Sequence, residues 1–318
     1  MERSGVSPNA RVSPHARPLS PGAIIRGMAT LVTLGAPSPP LDTAALDAKE
    51  ARLFDILRSL GEVIVAYSGG TDSAYLAWAA ARALGDKAVA ITADSASIPE
   101  SHKRDAAEYA RLCGFRHEII ETREFDNPDY VKNDANRCFH CKDELFTRLE
   151  EVAAARGLTH IVYGVNQDDL GDYRPGQQAA KIHQVKAPLV EAGLRKAEIR
   201  ELARRAGLPF WDRPAAACLS SRVPYGTPVT VGTIKTIEAG EEAMRALGFR
   251  QFRVRFHDQL VRLEIDPAEM PRALDMHMAG RLTAIFKPLG FHYVTLDLEG
   301  YRQGSLNAAL GMKPVGEK

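Results

Sequence analysis

The sequence predicts an α/β protein built on a mostly parallel sheet with helices on both faces, followed by a smaller α+β region. Three observations predict this class. Short apolar runs alternate with helix-like stretches early in the chain, glycines close those stretches, and later runs alternate polar and apolar residues with period two. Ligands of parallel sheets bind beyond the carboxyl ends of the strands, so chemistry is expected there.

The individual elements follow from these patterns. Strands of the first sheet are predicted at 63–67, 88–92, 118–120 and 160–164, and the first of these is expected to be buried on both faces. Helices are predicted at 74–84, from Pro99 towards Cys113, and at 194–207. The later region is predicted to hold a helix at 231–247, half-buried strands at 252–256 and 260–265, a helix over roughly 268–288 and a strand at 293–297.

Composition limits the class of protein. The chain has 318 residues, 41 basic and 40 acidic side chains, and a net charge of +1. Such a balance argues against a protein that coats nucleic acid, and no apolar run approaches the ~20 residues of a membrane helix. Four cysteines are too few for a disulfide scaffold, which favours a reducing, cytoplasmic setting.

Residues 1–45 differ from the rest of the chain. They are rich in proline and show no sustained apolar period, so a disordered extension is expected. A start codon placed too early, with Met28 as the alternative, would explain the same pattern, and the resemblance to a transit peptide is weak. The folded chain is predicted to divide into 46–213 and a C-terminal α+β domain at 214–318.

The turn at 67–73, Tyr-Ser-Gly-Gly-Thr-Asp-Ser, is the most informative local feature. Adjacent glycines let backbone N–H groups turn towards an anion, and the helix N-terminus behind them adds positive charge. Ser68 and Ser73 can donate to phosphate. Asp72 opposes phosphate, so its expected role is to hold Mg²⁺. The pattern is neither a Walker A loop nor a Gly-x-Gly-x-x-Gly fingerprint, and the alternative is an ordinary capped turn.

This turn resembles the PP-loop of the ATP pyrophosphatase superfamily. The resemblance implies the adenine nucleotide alpha hydrolase-like fold at 46–213, cleavage of ATP between its α and β phosphates, and activation of a substrate oxygen as an adenylate. It also implies that adenine lies near residues 92–95, at the end of the second strand. The implied nucleotide-binding residues are Ser68, Gly69, Gly70, Asp72 and Ser73.

Three of the cysteines invite a chemical interpretation. Cys138 and Cys141 are spaced i, i+3, and neighbouring cations favour their thiolates. Two ligands do not complete a site, and Cys218 is the natural third, with His140 a weaker candidate. An iron–sulfur cluster, a structural zinc site and a redox disulfide are the alternatives. Cys113 ends an amphipathic helix and is expected to be a packing residue.

Two further segments narrow the family. They are Asp-Tyr-Arg-Pro-Gly at 172–176 and Ser-Ser-Arg-Val-Pro-Tyr-Gly-Thr at 220–227. With the PP-loop, they make the chain resemble the ATP-dependent sacrificial sulfur transferase family LarE from about Leu53 to Leu306. Tyr173 and Arg174 are expected to shape a loop over the active site, with a purely structural turn as the alternative.

The resemblance implies a specific reaction. The family uses ATP and Mg²⁺ to adenylate the carboxylates of pyridinium-3,5-biscarboxylic acid mononucleotide, and a cysteine at the position of Cys218 attacks the adenylate. In the simplest members that cysteine gives up its own sulfur and becomes dehydroalanine. Two rounds give a dithio compound that later binds nickel, which implies a downstream nickel-inserting enzyme as partner. Family precedent implies a homohexamer, and no nucleic-acid or membrane partner is expected.

The cysteine trio resembles a branch of the family in which three thiolates hold a [4Fe-4S] cluster. Cys138, Cys141 and Cys218 are then the ligands, and the open fourth iron can carry a hydrosulfide to the adenylate. Such a protein would be catalytic and not self-consuming. The sulfur donor is not readable from the sequence.

Arginines are expected to hold the anionic substrate. Arg222, Arg253 and Arg255 can pair with its carboxylates and phosphate, and the last two share one strand face. The alternative for each is a solvated surface charge. Glu241 matches a family position near the substrate.

Three other functions compete with this interpretation. A tRNA thiolation enzyme uses the same adenylation chemistry but normally carries a basic RNA-binding domain. An NAD or GMP synthetase-like amidotransferase would have no use for the cysteine trio. A non-enzymatic ATP or metal-binding module would not need a complete PP-loop beside a candidate nucleophile.

Overall fold

A computed structural model of the chain describes residues 41–170, 175–214 and 217–302. The predicted extension at 1–45 lies almost entirely outside the described residues, and the first helix begins at Thr43. Tyr173 and Arg174 also lie outside them. The domain boundaries stay a prediction.

The first sheet is parallel throughout. Its strands are β1 Val63–Ala66, β2 Ala88–Asp94, β3 His117–Glu121 and β4 Ile161–Tyr163. They pair in the order β3-β2-β1-β4, so β1 lies in the interior of the sheet. All four strands appear where the apolar runs predicted them, which confirms the predicted α/β class.

Helices surround and follow this sheet. The described α-helices are α1 Thr43–Leu60, α2 Thr71–Leu84, α3 Glu100–Cys113, α4 Pro128–Val131, α5 Arg137–Arg156, α6 Pro175–Ile182, α7 Pro188–Glu191, α8 Lys196–Arg205, α9 Val231–Ala246, α10 Met270–Ala273 and α11 Met276–Phe286. None of the helices in the described ranges is long and apolar enough to cross a membrane.

Alternation along β1 explains why helices cover both faces. Val63 and Val65 belong to an apolar cluster that includes residues of α1, α2, α3 and α8. Ile64 and Ala66 point the other way and join a cluster with residues of α5 and α6. Because all four side chains are buried, the strand reads as a continuous apolar run and not as an alternating one.

The second sheet has strands β5 Phe252–His257, β6 Leu260–Ile265 and β7 Tyr293–Leu296. β5 pairs antiparallel with β6, and β6 pairs parallel with β7. The single helix predicted over 268–288 is wrong, because the chain forms α10 and α11 with a break between them. Asp275 is extended at this break and its carboxylate accepts from the Met278 N–H at 3.1 Å, so it caps α11.

Candidate active site

The PP-loop joins β1 to α2 in a conformation that suits glycine. Gly69 has φ 72°, and a Cβ there would lie 3.0 Å from the Cβ of Ala106 on α3. The hydroxyls of Ser68 and Ser73 lie 3.1 Å apart. Gly70 is the N-cap of α2, and no side chain caps the helix there, which leaves N–H groups of the first turn for a ligand. The five predicted nucleotide-binding residues therefore share one turn.

Asp72 has an unused ligand atom in this turn. Its Oδ2 accepts from the Asn166 amide at 3.2 Å, whereas its buried Oδ1 has no hydrogen-bond partner among the described residues. Burial raises the pKa of Asp72 to about 6, and Lys196 opposes that shift. A buried carboxylate oxygen without a partner is the kind of atom that a divalent cation satisfies, so these residues fit Mg²⁺.

Close backbone packing brings Asn166 to Asp72. A Cβ at Gly164 would lie 2.7 Å from both the backbone nitrogen and the Cα of Ser73, so the end of β4 touches the start of α2. Only glycine permits that approach. The carboxyl ends of β1 and β4 thus contribute to one site, as expected for a parallel sheet.

The segment around Cys218 is fixed through its backbone. The carbonyl oxygen of Cys218 accepts from the Ser221 hydroxyl at 2.7 Å and from Arg222 Nη1 at 2.9 Å. The next residue, Leu219, donates its N–H to the Ser97 carbonyl at 2.8 Å. Since Ser97 follows β2, the Cys218 segment reaches the sheet edge where adenine is expected.

Arg222 and Arg255 are engaged with protein groups. Arg222 forms a two-point ion pair with Glu241, at 2.7 and 3.0 Å, and both side chains are 2% exposed. Arg255 donates to the Ser221 carbonyl at 2.7 Å and to Glu264 at 2.7 Å. Both arginines therefore hold the Cys218 segment in place, a role that the sequence analysis did not assign to them.

Arg253 lies on the same strand, β5, two residues before Arg255. Its guanidinium carbon lies 4.8 Å from the ring centre of Tyr301, and Nη1 donates to the Phe252 carbonyl at 2.6 Å. Burial lowers the pKa of Arg253, and the charge of Arg222 adds to that effect. Because this guanidinium is half-buried and lies near the charge of Arg222, its surroundings favour the binding of an anionic ligand.

The three thiols lie within electrostatic range of one another. Cys138 and Cys141 lie in the first two turns of α5. Cys138 is an exposed residue, yet desolvation raises the pKa of its thiol; the charge of Cys218 adds to this shift, and Arg137 opposes it. Burial also raises the pKa of Cys141, with Cys218 among the contributing groups. By contrast, Cys113 packs against the apolar cluster on the α1 face.

A buried polar network ties the start of α5 to the Cys218 segment. Asn133 has φ 59°, and its amide donates to the carbonyls of Pro224 at 2.8 Å and Thr227 at 2.7 Å. Its side-chain oxygen accepts from Arg137, which also donates to the Ser220 carbonyl at 2.9 Å. These groups, the Asn133 network, fix Cys138 and Cys218 relative to each other. No sequence signal identified Asn133.

The described residues do not form a site in which three or more His, Cys, Asp or Glu side chains of the protein would hold one metal ion. The cysteine donors are nevertheless three thiols with cationic neighbours, and a cluster has ligands set wider apart than those of a single ion. Their chemistry fits an iron–sulfur cluster.

Comparison with known proteins decides the family. No protein-family model matches the chain. The pyridinium-3,5-bisthiocarboxylic acid mononucleotide synthase of Lactiplantibacillus plantarum is 35% identical over 269 residues, covering 84% of this chain and 96% of that protein. The chain belongs to the LarE family, that of this synthase. It is therefore an enzyme.

Two further relatives extend the comparison. An uncharacterized protein of Synechocystis is 43% identical over 83% of this chain and 99% of its own length. An uncharacterized protein of Methanocaldococcus jannaschii is 26% identical over 76% of this chain and 91% of its own length. The family assignment from the PP-loop and the 220–227 segment is confirmed.

Proposed function

We propose that this LarE-family enzyme is an ATP-dependent sulfurtransferase that converts the carboxylates of pyridinium-3,5-biscarboxylic acid mononucleotide to thiocarboxylates. The observation that carries the proposal is the contact between the Cys218 segment and the segment that follows β2, where Leu219 donates to Ser97 at 2.8 Å. This contact supports the proposal because the segment after β2 is where the resemblance implies adenine, and Cys218 is the residue next to Leu219.

The proposed chemistry has two steps. A substrate carboxylate oxygen attacks the α-phosphorus of ATP, the bond to the β-phosphate oxygen breaks, and pyrophosphate leaves. A sulfur nucleophile then attacks the acyl carbon and AMP leaves, because an adenylate is a far better leaving group than oxide. The uncapped N–H groups of α2 would face the phosphates, and Mg²⁺ held by Asp72 would neutralise part of their charge.

The sulfur can come from either of two sources. If Cys218 supplies its own sulfur, Sγ first forms a thioester with the acyl carbon as AMP leaves. A base then takes the Cα proton, the Cβ–S bond breaks, the thiocarboxylate leaves and dehydroalanine remains. If Cys138, Cys141 and Cys218 hold a [4Fe-4S] cluster, that cluster would supply a coordination position for external hydrosulfide. The thiols near Arg137 favour the second source, since three neighbouring thiols have no evident role in a self-consuming reaction.

The reaction is tested by anaerobic incubation with ATP, Mg²⁺ and the pyridinium mononucleotide. AMP and a thiocarboxylate are expected by liquid chromatography and mass spectrometry. Asp72→Asn should lower AMP release by about a hundredfold, because it removes the charge that would hold Mg²⁺. Asp55→Asn, at a carboxylate that is 76% exposed and paired only with its neighbour Arg58 among the described ion pairs, is the control.

Three outcomes would contradict parts of the proposal. The substrate assignment is wrong if the native enzyme forms neither AMP nor thiocarboxylate. If AMP forms only when tRNA is supplied, the tRNA thiolation enzyme is the better assignment. Wild-type AMP release by Asp72→Asn would remove Asp72 from the site.

The cluster has a separate test that does not depend on activity. Enzyme purified anaerobically should be brown and contain iron and sulfide, and Cys138→Ala should lose the colour, because two thiolates do not retain the cluster. Cys113→Ala is the matched control and should keep the colour. A colourless native protein with stoichiometric zinc would overturn the cluster.

A further inference from the structure

A histidine joins the end of α6 to the middle of α5, outside the sites assigned above. The Nε2 atom of His183 lies 3.0 Å from a carboxylate oxygen of Asp143, and its Nδ1 atom lies 3.0 Å from a carboxylate oxygen of Glu150. The ring also packs beside that of Phe146, with 5.8 Å between the ring centres. Since the His183 side chain is 11% exposed, this contact is largely shielded from water.

Both contacts of His183 need the protonated ring. A neutral imidazole carries one N–H, so it donates to one carboxylate and turns a lone pair towards the other. The imidazolium ion donates from both nitrogens and carries the charge opposite to that of both partners. Burial by itself lowers the pKa of His183, but the hydrogen bonds and charges of Asp143 and Glu150 outweigh burial and raise that pKa above its ordinary value.

Other charged and titratable groups stand near this contact. On α5, the ammonium of Lys142 lies 5.8 Å from the centre of the Phe146 ring. On β4, the Tyr163 ring lies 6.0 Å from that of Phe146, and burial raises the pKa of Tyr163 further above neutrality. Lys181 stands on α6 itself and is exposed. Of these groups, His183 is the one whose charge ordinarily changes near neutral pH, so it determines the response to pH.

The helix α6 has little apolar surface with which to hold itself in place. Ala179 and Ala180 are its buried residues, and Ile182 is 58% exposed. Alanine side chains bury a small apolar area, and hydrophobic stabilisation scales with that area. The two contacts of His183 with carboxylates are therefore a substantial part of what holds the end of α6 against α5.

The start of α6 touches both parts of the candidate site. A Cβ at Gly176 would lie 3.4 Å from the carbonyl oxygen of Cys138, so the helix lies against the turn that carries this thiol. The Gln177 amide donates to the Asp169 carbonyl at 2.8 Å. The Asp169 carboxylate in turn accepts at 3.1 Å from the N–H of Asn166, the residue that holds the PP-loop carboxylate. The helix thus connects the thiols with the PP-loop.

We propose that His183 is a pH-dependent anchor of α6, which holds the helix to Asp143 and Glu150 when the ring is protonated and releases its end when the ring is neutral. Because the pKa is raised in the folded chain, this stabilisation is fully present below the ordinary histidine pKa of about 6.5 and is lost as the pH rises through the raised pKa. The inference goes beyond the proposed function and does not depend on it, since it concerns the chain without ATP or substrate.

Hydrogen exchange of the α6 backbone amides, followed by mass spectrometry of the full chain without ligands, tests the anchor. His183→Gln is compared with the native chain at the same pH, so the intrinsic pH dependence of exchange cancels. At about pH 6 the variant should exchange about fivefold faster, because it loses two charge-assisted hydrogen bonds to partly exposed carboxylates. At about pH 9.5 the two chains should differ by less than about twofold. A difference of the same size at every pH, or none at any pH, would overturn the anchor.

Glu150→Gln keeps the histidine, and it decides the question if His183→Gln does not fold. It removes one of the two carboxylates that raise the pKa of His183, so α6 should loosen at a lower pH than in the native chain. Glu151→Gln is the matched control on the next residue of α5. It removes the same charge from a carboxylate that is 58% exposed and pairs with Arg148, so it should keep the native profile. Equal profiles in the two variants would refute the proposal.

NMR reads the charge of the ring directly. In a chain labelled at its histidine side chains, the His183 signal should titrate above about pH 6.5 in the native chain and at a lower pH in Glu150→Gln. A His183 ring that titrates at or below about pH 6.5 in the native chain would overturn the anchor, whatever the exchange of α6.

Discussion

Replacement of Cys218 by alanine is expected to lower thiocarboxylate formation by more than about a thousandfold, because it removes the proposed sulfur nucleophile or cluster ligand. AMP release should continue, since the carbonyl of residue 218 is held by Ser221 and Arg222 whatever the side chain is. The two products are measured in the same anaerobic reaction. A loss of both would mean that the substitution disturbs the nucleotide site.

Cys113→Ala is the control for this variant. That thiol packs against the apolar cluster of α1, α2 and α8, so its loss should leave both products near native amounts. Thiocarboxylate made at the native rate by Cys218→Ala would remove Cys218 from the chemistry.

Product counted per chain separates the two sulfur sources. More than one thiocarboxylate per chain, with Cys218 intact by mass spectrometry, means catalytic transfer. One per chain, with residue 218 lacking the elements of hydrogen sulfide, means self-consumption.

Glu241→Gln is expected to lower the free energy of unfolding by about 3–5 kcal/mol, because it leaves the buried guanidinium of Arg222 without its counter-charge. Chemical denaturation monitored by circular dichroism measures the change. Since Arg222 also donates to the carbonyl of Cys218, the variant should lose thiocarboxylate formation as well.

The effect of Glu241→Gln should depend on pH. Burial works to raise the pKa of Glu241, but Arg222, with Arg253 and Arg245, holds that pKa below its ordinary value. The stabilisation is therefore present at neutral pH and is lost as the pH falls through the lowered pKa, so native and variant should converge in acid.

Glu242→Gln provides the matched comparison on the next residue of α9. Its carboxylate is 48% exposed and 3.9 Å from Arg104, so its loss should change the free energy of unfolding by less than about 1 kcal/mol. Equal destabilisation by the two variants would refute the argument from burial.

Local patterns predicted much of this molecule. The run Val63–Ala66 is apolar because both faces of β1 are covered, so its sequence alone identified the strand. The PP-loop is a contiguous turn, and its glycines and Asp72 could be interpreted without knowledge of the fold. The break between α10 and α11 was missed, because a cap by Asp275 competes locally with helix continuation.

Partners distant in sequence were not predictable in this way. The sequence around Arg222 is the same whether its side chain binds a ligand or pairs with Glu241. Its partner is determined by the packing of α9 against the Cys218 segment, which the local sequence does not show. Arg137 and Ser220 lie 83 residues apart, so no local pattern could relate them.

The residues of the Asn133 network hold the site in place, whereas the cysteines are the residues proposed to react. Its members position Cys138 and Cys218 through hydrogen bonds between an amide, a guanidinium and backbone carbonyls, and of these members Arg137 also acts on the Cys138 thiol. Exchange of Cys138 or Cys141 for another small residue would therefore leave the framework standing. The same fold can then support either of the two sulfur sources, a cysteine that gives up its own sulfur or a cluster that is reloaded with sulfur. Few substitutions, and no change of fold, would separate the two kinds of enzyme.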